Sequence, residues 1–459
     1  MVDVSVIILA AGYGTRMRSK LAKVLHKAGG APLIEHVIRA AMEIAPPGRI
    51  TAVVGHQGGK VREEMAHLGV HFQTQEEQFG TGHAVLVCRG LAHHATGRVV
   101  VIYGDCPLLR GETLKGLVAR HDEVNVAAAT LVTCTLDNPR GYGRIFREDG
   151  FVARVVEEKA ATAEERTVRE VNAGIYCFEA EPLWPHLASI KPNPASGEVY
   201  LTDMVETLRA SGLKTAPYEV ADPSETIGIN NRVELAEVDG MLRTRKANAL
   251  MTAGVTIERP DTVSIDAWVE VGPDTVIETG AQLRGRTTVG PDCRIGSHAI
   301  LENATVGEGS VVHPFSVIHD STIEAGVEVG PFARMRMGAV VETGARVGNF
   351  VELKKTRLGQ GSLAMHLAYL GDSTIGKGVN IGAGTITCNF DGRKKSLTVI
   401  GDGAFVGSNS TLVAPVEVGA GSYVAAGSVI TENVPVDALA LGRSRQVVKE
   451  EWAKKRREQ

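Results

Sequence analysis

The chain has 459 residues, of which 44% are hydrophobic and 22% charged, and a formal net charge of −4. That length allows about two or three domains at roughly 150 residues each, and the slight acidity argues against a nucleic-acid scaffold, which carries a strongly basic face. No apolar run approaches the ~18 residues of a membrane span. The N-terminus shows no basic-then-apolar leader. The six cysteines (Cys88, Cys106, Cys134, Cys177, Cys293, Cys388) form no CxxC pair, which argues against a disulfide framework or a zinc site. A cytoplasmic location is therefore expected, without membrane or nucleic-acid partners.

Residues 4–9, VSVIIL, form a continuous apolar run of the kind a central parallel strand shows. The run ends in a glycine loop and a helical stretch, an arrangement that points backbone N–H groups at an anion. Further strands read at residues 50–54 and 99–102, alternating with helical stretches near 33–44 and 84–91. Such alternation predicts a doubly wound α/β domain, with ligands at the carboxyl ends of the strands. The glycine loop fits neither the dinucleotide fingerprint, since Met17 stands where a third Gly or Ala belongs, nor the P-loop pattern.

The fuller run LAAGYGTRM at 9–17, with Lys23 beyond it, resembles the nucleoside-triphosphate loop of sugar-1-phosphate nucleotidyltransferases. The resemblance assigns Leu9, Ala10, Ala11, Gly12, Gly14 and Lys23 to the nucleotide and makes Arg16 and Lys23 catalytic cations. Residues 75–84, QEEQFGTGHA, resemble the base-reading segment in its uracil-selecting form, with Gln75, Gly80 and Thr81 as contacts. Tyr103-Gly104-Asp105 closes a buried strand; an Asp there can hold Mg²⁺ or cap the next turn. The resemblance favours the metal, adds Tyr103 to the nucleotide contacts, and supplies Asn230 as a second metal ligand and sugar-phosphate contact. Gly143, Glu157, Asn172 and Thr202 correspond to the sugar pocket, and residues 197–203 to another edge of it.

Residues 232–251 are rich in Glu, Ala, Leu and Arg without Pro, which predicts a helix of about 20 residues. Beyond it an aliphatic residue returns every sixth position: Val271, Ile277, Leu283, Val289, Ile295 and Leu301. After one-residue slips the count resumes at Val306, Val312 and Ile318, then at Ile323, Val329, Met335, Val341, Val347 and Leu353. Gly often follows (Gly272, Gly290, Gly296, Gly307, Gly382, Gly407), and a small residue often sits four places on (Thr275, Ala281, Ser310, Ser362). This is the hexapeptide signature of a parallel β-helix, three hexads to a triangular coil, with the aliphatic residue pointing inward. The glycines are expected to serve turns at positive φ, and stability to come from coil stacking.

The hexad phase breaks at residues 364–370 and at 387–396, where a polar, basic loop interrupts it; such insertions often carry a solenoid's site. Taken alone, the lysine pairs at 354–355 and 394–395 read equally well as solvated charges. Over almost its whole length the chain resembles the bifunctional N-acetylglucosamine-1-phosphate uridyltransferase/glucosamine-1-phosphate acetyltransferase family of bacteria. That resemblance implies a Rossmann-like nucleotidyltransferase domain (1–230), a helical linker (231–253), a left-handed β-helix acetyltransferase domain (254–445) and a charged tail (446–459). It makes His366 the catalytic base and Arg336, Lys354 and Lys395 sugar-phosphate binders. Tyr369, Asn380 and Asn389 would be sugar contacts. Asn389 also falls, with Phe390, Ala383, Ser408, Ala426 and Arg443, among the acetyl-CoA contacts. Phe390 departs from the family's usual Tyr, which keeps an aromatic platform and loses a hydroxyl. Mg²⁺, UTP and acetyl-CoA are implied, as is a homotrimer making UDP-N-acetylglucosamine for the cell envelope. Two other readings stay open: a single-function nucleotidyltransferase with a structural hexad domain, and a non-catalytic regulatory paralogue.

Overall fold

The computed structural model describes residues 3–124, 126–194 and 196–458. The outermost ends of the expected first domain and of the expected tail, residues 1, 2 and 459, lie outside the described residues. The chain divides into two compact units, residues 1–242 and 243–459.

The first unit is built on a nine-stranded sheet. Its main path runs Lys214–Glu219, Ala127–Thr135, Glu170–Glu179, Arg98–Tyr103, Val4–Ala10, Ile50–Val54 and His71–Thr74. The central strand Val4–Ala10 pairs in parallel with Ile50–Val54 on one side and Arg98–Tyr103 on the other. Its unbroken apolar run follows from burial on both faces. Val6 and Ile8 join a core with Ile34, Ile38, Leu114 and Leu117, while Ile7 and Leu9 join another with Val85, Leu183 and Leu208. Helices therefore cover both faces, as a doubly wound sheet requires. Glu170–Glu179 runs antiparallel to both neighbours and also pairs with the hairpin formed by Arg144–Glu148 and Phe151–Val156. The helix expected at 84–91 is Thr81–Leu86; it opens earlier because Gly80, at φ +95°, turns the chain just before it.

The helix Arg232–Thr252 is capped by a reciprocal pair. Asn231 Oδ1 accepts from the N–H groups of Val233 and Glu234 at 2.9 and 3.0 Å, and Glu234 reaches back to the N–H of Asn230 at 2.6 Å. This cap fixes Asn230.

The second unit is a left-handed parallel β-helix. Along one face Val276 stands beside Arg294, Arg294 beside Val311, Val311 beside Glu328 and Glu328 beside Arg346, three hexads per coil. Every aliphatic position of the hexad count from Ile277 to Leu353 is buried; Val271, in an early coil, is half-buried. The small residues four places on are buried too, where only a short side chain fits the corner.

The glycines have a different cause from the one expected. Those following the aliphatic residue do not sit at positive φ, Gly330 excepted. A Cβ on Gly382 would lie 2.5 Å from the backbone nitrogen of Ser408, and one on Gly407 would lie 2.5 Å from that of Ala426. These glycines let one coil's backbone rest on the next. Positive φ falls a few residues later, at positions such as Asp292, Asn303, Gly309 and Gly326.

Candidate active sites

The carboxyl ends of the first unit's central strands open into a cleft of about 310 Å³. Leu9, Ala10, Ala11, Gly12, Lys23, Gln75, Gly80, Thr81, Tyr103 and Asp105 line it. Gly14 and Arg16 stand outside that lining. Gly14 adopts φ +59°, and a Cβ there would lie 2.6 Å from Cβ of Lys23, so glycine lets the loop close on the lysine stem. Gln75 is buried and donates to the Gly80 carbonyl at 3.2 Å, which fixes its amide at the cleft wall. The hydroxyl of Thr81 accepts from the N–H of Leu201 at 3.0 Å and ties on the segment that carries Glu198 and Tyr200.

At the cleft mouth Lys23 makes an ion pair with Asp105. Its ammonium also donates to Asn230 Oδ1 at 3.3 Å, and Arg16 donates to the same oxygen at 2.8 Å. The N–H of Ile229 donates to the Asp105 carbonyl at 3.1 Å and brings the segments that carry Asp105 and Asn230 together. An ammonium thus bridges two hard oxygen donors, and that donor set suits Mg²⁺. Among the described residues no three His, Cys, Asp or Glu side chains converge as a metal cage. A cation on Asp105 and Asn230 would therefore draw its remaining ligands from phosphates and water, as Mg²⁺ commonly does.

The other residues expected to form a sugar pocket also come together. Thr202 donates to Glu157 at 3.2 Å. The N–H of Asn172 donates to the Gly143 carbonyl at 2.9 Å. The Asn172 amide is held by Tyr176 at 2.8 Å and by the N–H of Gly174 at 2.9 Å. Its orientation is therefore set before any ligand arrives.

In the second unit the remaining candidates lie on successive coils between residues 336 and 443. Strand Arg346–Asn349 pairs with Leu363–His366, and Glu352–Leu358 with Tyr369–Ile375. His366 is exposed, and its Nδ1 lies 3.1 Å from Asn349 Oδ1. With that oxygen as acceptor, Nδ1 carries the proton and Nε2 keeps its lone pair. Arg336 is held by Glu352 at 2.7 Å. Lys354 is buried and pairs with Asp372 at 2.5 Å, and Asn389 donates to the same Asp372 oxygen. The hydrogen bond that Lys354 donates to Asp372 holds its ammonium above the usual range. Burial pushes the Asp372 carboxyl up, but hydrogen bonds from Lys354 and Asn389 outweigh it, so the group lies below the usual range. Lys395 is pushed down by the adjacent Lys354.

The inserted loop is a tight turn. Phe390 and Lys395 form an antiparallel bridge, and Asp391 accepts from the N–H groups of Arg393 and Lys394 at 2.8 Å each. Tyr369 and Asn380 are half-buried and Phe390 is exposed. Ala383, Ser408 and Ala426 stack at one corner: the N–H of Asn409 donates to the Ala383 carbonyl, that of Gly427 to the Ser408 carbonyl, and Arg443 to the Ala426 carbonyl. Asn389 stands apart from this group, its amide committed inward to Asp372.

Several lining residues were not singled out from the sequence. Gln78, Glu198 and Tyr200 line the first cleft, and each lies inside a segment already marked. Asn349, Glu352 and Asp372 support the second site. The one sequence signal for Asp372 was Gly371, a glycine inside a strand: a Cβ there would lie 2.9 Å from the Asn389 amide nitrogen.

Residues 6–172 match the MobA-like NTP transferase domain, and residues 397–432 match the bacterial transferase hexapeptide (six repeats). A protein of Solibacter usitatus (strain Ellin6076) described as bifunctional protein GlmU is 54% identical over 454 residues, which cover 99% of this chain and 97% of its own. Proteins of the same description from Koribacter versatilis (strain Ellin345) and Brevibacillus brevis (strain 47 / JCM 6285 / NBRC 100599) are 48% and 46% identical. Those two matches cover 99% of this chain and 97% and 98% of theirs.

Proposed function

The chain belongs to the bifunctional GlmU family, and from that premise we propose that its two units make UDP-N-acetylglucosamine in two steps. The β-helix unit transfers an acetyl group from acetyl-CoA to glucosamine-1-phosphate. The nucleotidyltransferase unit then transfers a uridylyl group from UTP to N-acetylglucosamine-1-phosphate and releases pyrophosphate. The observation that supports this reading is that each of the chain's two units brings its candidate residues together around a lysine paired with an aspartate.

In uridylyl transfer the sugar phosphate oxygen attacks the α-phosphorus in line, and the protein contributes alignment and charge stabilisation more than covalent chemistry. The glycine loop and Arg16 hold the outer phosphates, and Lys23 neutralises charge near the α-phosphate. Gln75 presents its amide to the base. Asn172, Glu157 and Thr202 orient the hexose. Asp105 and Asn230 hold a Mg²⁺ ion, which supplies charge neutralisation on the phosphate oxygens when bound.

In acetyl transfer the sugar's 2-amine attacks the thioester carbonyl. His366 takes the amine proton at Nε2, with Asn349 fixing the tautomer. Arg336, Lys354 and Lys395 bind the phosphate, Tyr369 and Asn380 flank the sugar, and the Ala383/Ser408/Ala426 corner with Arg443 takes the coenzyme.

We read the enzyme as a cytoplasmic homotrimer. What supports self-association is a corner of the β-helix where His298, Phe315, Phe332 and Phe350 stack face to face, with centroids 5.3, 5.2 and 5.4 Å apart. All four are exposed, as is Leu367 beside His366, and a contiguous exposed apolar ridge marks an interaction surface.

The test is incubation of the full chain with glucosamine-1-phosphate, acetyl-CoA, UTP and Mg²⁺, omitting each in turn. Omitting acetyl-CoA should stop both thiol release and UDP-sugar formation. Formation of UDP-N-acetylglucosamine from supplied N-acetylglucosamine-1-phosphate, without thiol release from glucosamine-1-phosphate under any condition, would leave a single-function nucleotidyltransferase.

A further inference from the structure

Asp372 belongs to a recurrent position of the β-helix. At one corner of successive coils Asn303, Asp320, Gly338, Lys355 and Asp372 adopt left-handed backbone at φ +50°, +45°, +74°, +51° and +46°. Asn and Asp tolerate that conformation better than other residues with a Cβ, so the corner alone explains a short polar side chain there. It does not explain what this one does. Asn303, Asp320 and Lys355 are exposed, whereas Asp372 is buried. Where Asn303 donates to Asp320 at 3.2 Å on the surface, Asp372 turns its carboxylate beneath the inserted loop.

There one oxygen, Oδ2, receives both the Lys354 ammonium at 2.5 Å and the Asn389 amide. The neighbourhood is built to allow it. Gly371, the residue beside Lys354 on the paired strand, leaves room for the Tyr369 hydroxyl and the Asn389 amide. The N–H of Gly371 donates to the Thr387 hydroxyl at 2.7 Å, and the N–H of Ser396 to the Asn389 carbonyl at 2.9 Å, so the base of the loop is tied to the same strand. A buried ammonium without a counter-charge is costly, and Lys354 has Lys395 as a second cation at its side. The groups facing the carboxylate are thus Lys354, Lys355 and Asn389, and those facing the lysine pair are Asp372, Tyr369 and Arg336.

We propose that Asp372 is a positioning residue of the second site: it anchors the Lys354 ammonium and the Asn389 amide on one carboxylate oxygen, so that Lys354 and Lys395 together are presented to the phosphate of the sugar substrate. Asp372 acts through these side chains and does not itself touch the reacting amine. The inference rests on reading this site as the one that binds glucosamine-1-phosphate.

The experiment measures thiol release from acetyl-CoA by the full-length chain at varied glucosamine-1-phosphate. Asp372→Asn keeps the shape and removes the charge. It should raise KM for the sugar phosphate about tenfold with kcat changed far less, and leave KM for acetyl-CoA within about twofold. Lys354→Met should raise the same KM, and adding Asp372→Asn to it should change KM by no more than about twofold, because the anchor then has no ammonium to present and keeps only the Asn389 amide. An unchanged KM in Asp372→Asn, a loss confined to kcat, or multiplicative effects in the double variant would overturn the proposal. The double variant buries no unpaired lysine charge. Should Asp372→Asn fail to fold, the double variant must match Lys354→Met in KM, and a further rise counts against the anchor. If the unaltered chain releases no thiol with glucosamine-1-phosphate, the reading of the site fails instead, and the two failures are distinct.

Discussion

The two sites use the same pair, a lysine on an aspartate, for opposite ends, and the third partner decides which. In the first unit the side chains of Lys23 and Asp105 are 15% and 18% exposed, and the neighbouring Asn230 turns its oxygen toward the ammonium. Two oxygens face one cation, so a divalent ion can take the lysine's place. In the second unit Lys354 and Asp372 are 5% and 10% exposed, and the neighbouring Asn389 turns its nitrogen toward the carboxylate. Two donors face one anion, so the carboxylate is satisfied from within and the cations remain for a ligand. The first arrangement makes the aspartate the working group; the second makes the lysine so.

The largest effect should therefore follow from removing the first aspartate. Asp105→Ala is expected to lower uridylyl transfer by about 10³-fold or more, because charge on the transferring phosphates loses its metal ligand. Acetyl transfer, assayed on the same preparation, should stay near the unaltered rate. Retention of UDP-sugar formation would refute the metal assignment. The matching change in the second unit is His366→Ala, expected to lower acetyl transfer by about 10²–10⁴-fold, the span of general-base catalysis, and to spare uridylyl transfer. Asn349→Ala should cost about tenfold and move the pH profile of acetyl transfer, since the proton on Nδ1 loses its acceptor. A profile that does not move would leave Asn349 without this role.

The units should also part under acid. His94 is fully buried between the Ser5 and Thr51 hydroxyls, and burial first, then the charges of His93, His71 and Arg49, lowers it to about 3. His121 is lowered to about 4, chiefly by burial. Both folded values lie below the unfolded value near 6.5, so the unfolded chain binds more protons between them. Their stabilisation is complete above pH 6.5 and is lost as pH falls toward 3, with His94 alone costing of order 4 kcal/mol at the bottom of that window. No histidine of the β-helix unit is buried. Far-ultraviolet circular dichroism from pH 7 to 3.5 should show the helical signal of the first unit collapsing before the strand signal of the second. A single joint transition would contradict this.

What the sequence made legible follows the same division. Period six placed the β-helix core because each hexad repeats one environment, and the buried strand run at 4–9 marked the sheet's centre. The antiparallel strand Glu170–Glu179 and its hairpin were not legible, because pairing partners distant in sequence leave no local pattern. The glycines were placed correctly and explained wrongly: their neighbour is the backbone of the next coil, which no single-coil reading contains. Site residues within these motifs came together in space; Gly14 and Arg16 lie outside the cleft lining, yet Gly14 packs on the Lys23 stem and Arg16 shares the Asn230 oxygen with Lys23. Asp372 escaped notice because its meaning depends on burial under a loop, and an exposed Asp at the same corner, Asp320, looks identical in sequence.

The smallest expected effect is the sharpest test of the comparison. If Lys23 stands where a divalent ion would sit, it competes with that ion in the absence of nucleotide. Lys23→Met removes the competitor, frees the Asp105 carboxylate of its ion pair and leaves Asn230 Oδ1 with Arg16 as its remaining side-chain donor. Because the pair is partly exposed, the competition is worth about 1 kcal/mol, and Mn²⁺, used as the probe, should bind about fivefold more tightly to the nucleotide-free variant by electron paramagnetic resonance titration. Uridylyl transfer should fall in the same protein, since the lysine no longer reaches the phosphates. Lys354→Met should leave Mn²⁺ binding as it was, because Asp372 is enclosed by donors and offers the ion no second oxygen. Equal Mn²⁺ affinity in the unaltered chain and Lys23→Met would mean that the ammonium does not occupy the ion's place, and the contrast between the two pairs would then rest on burial alone.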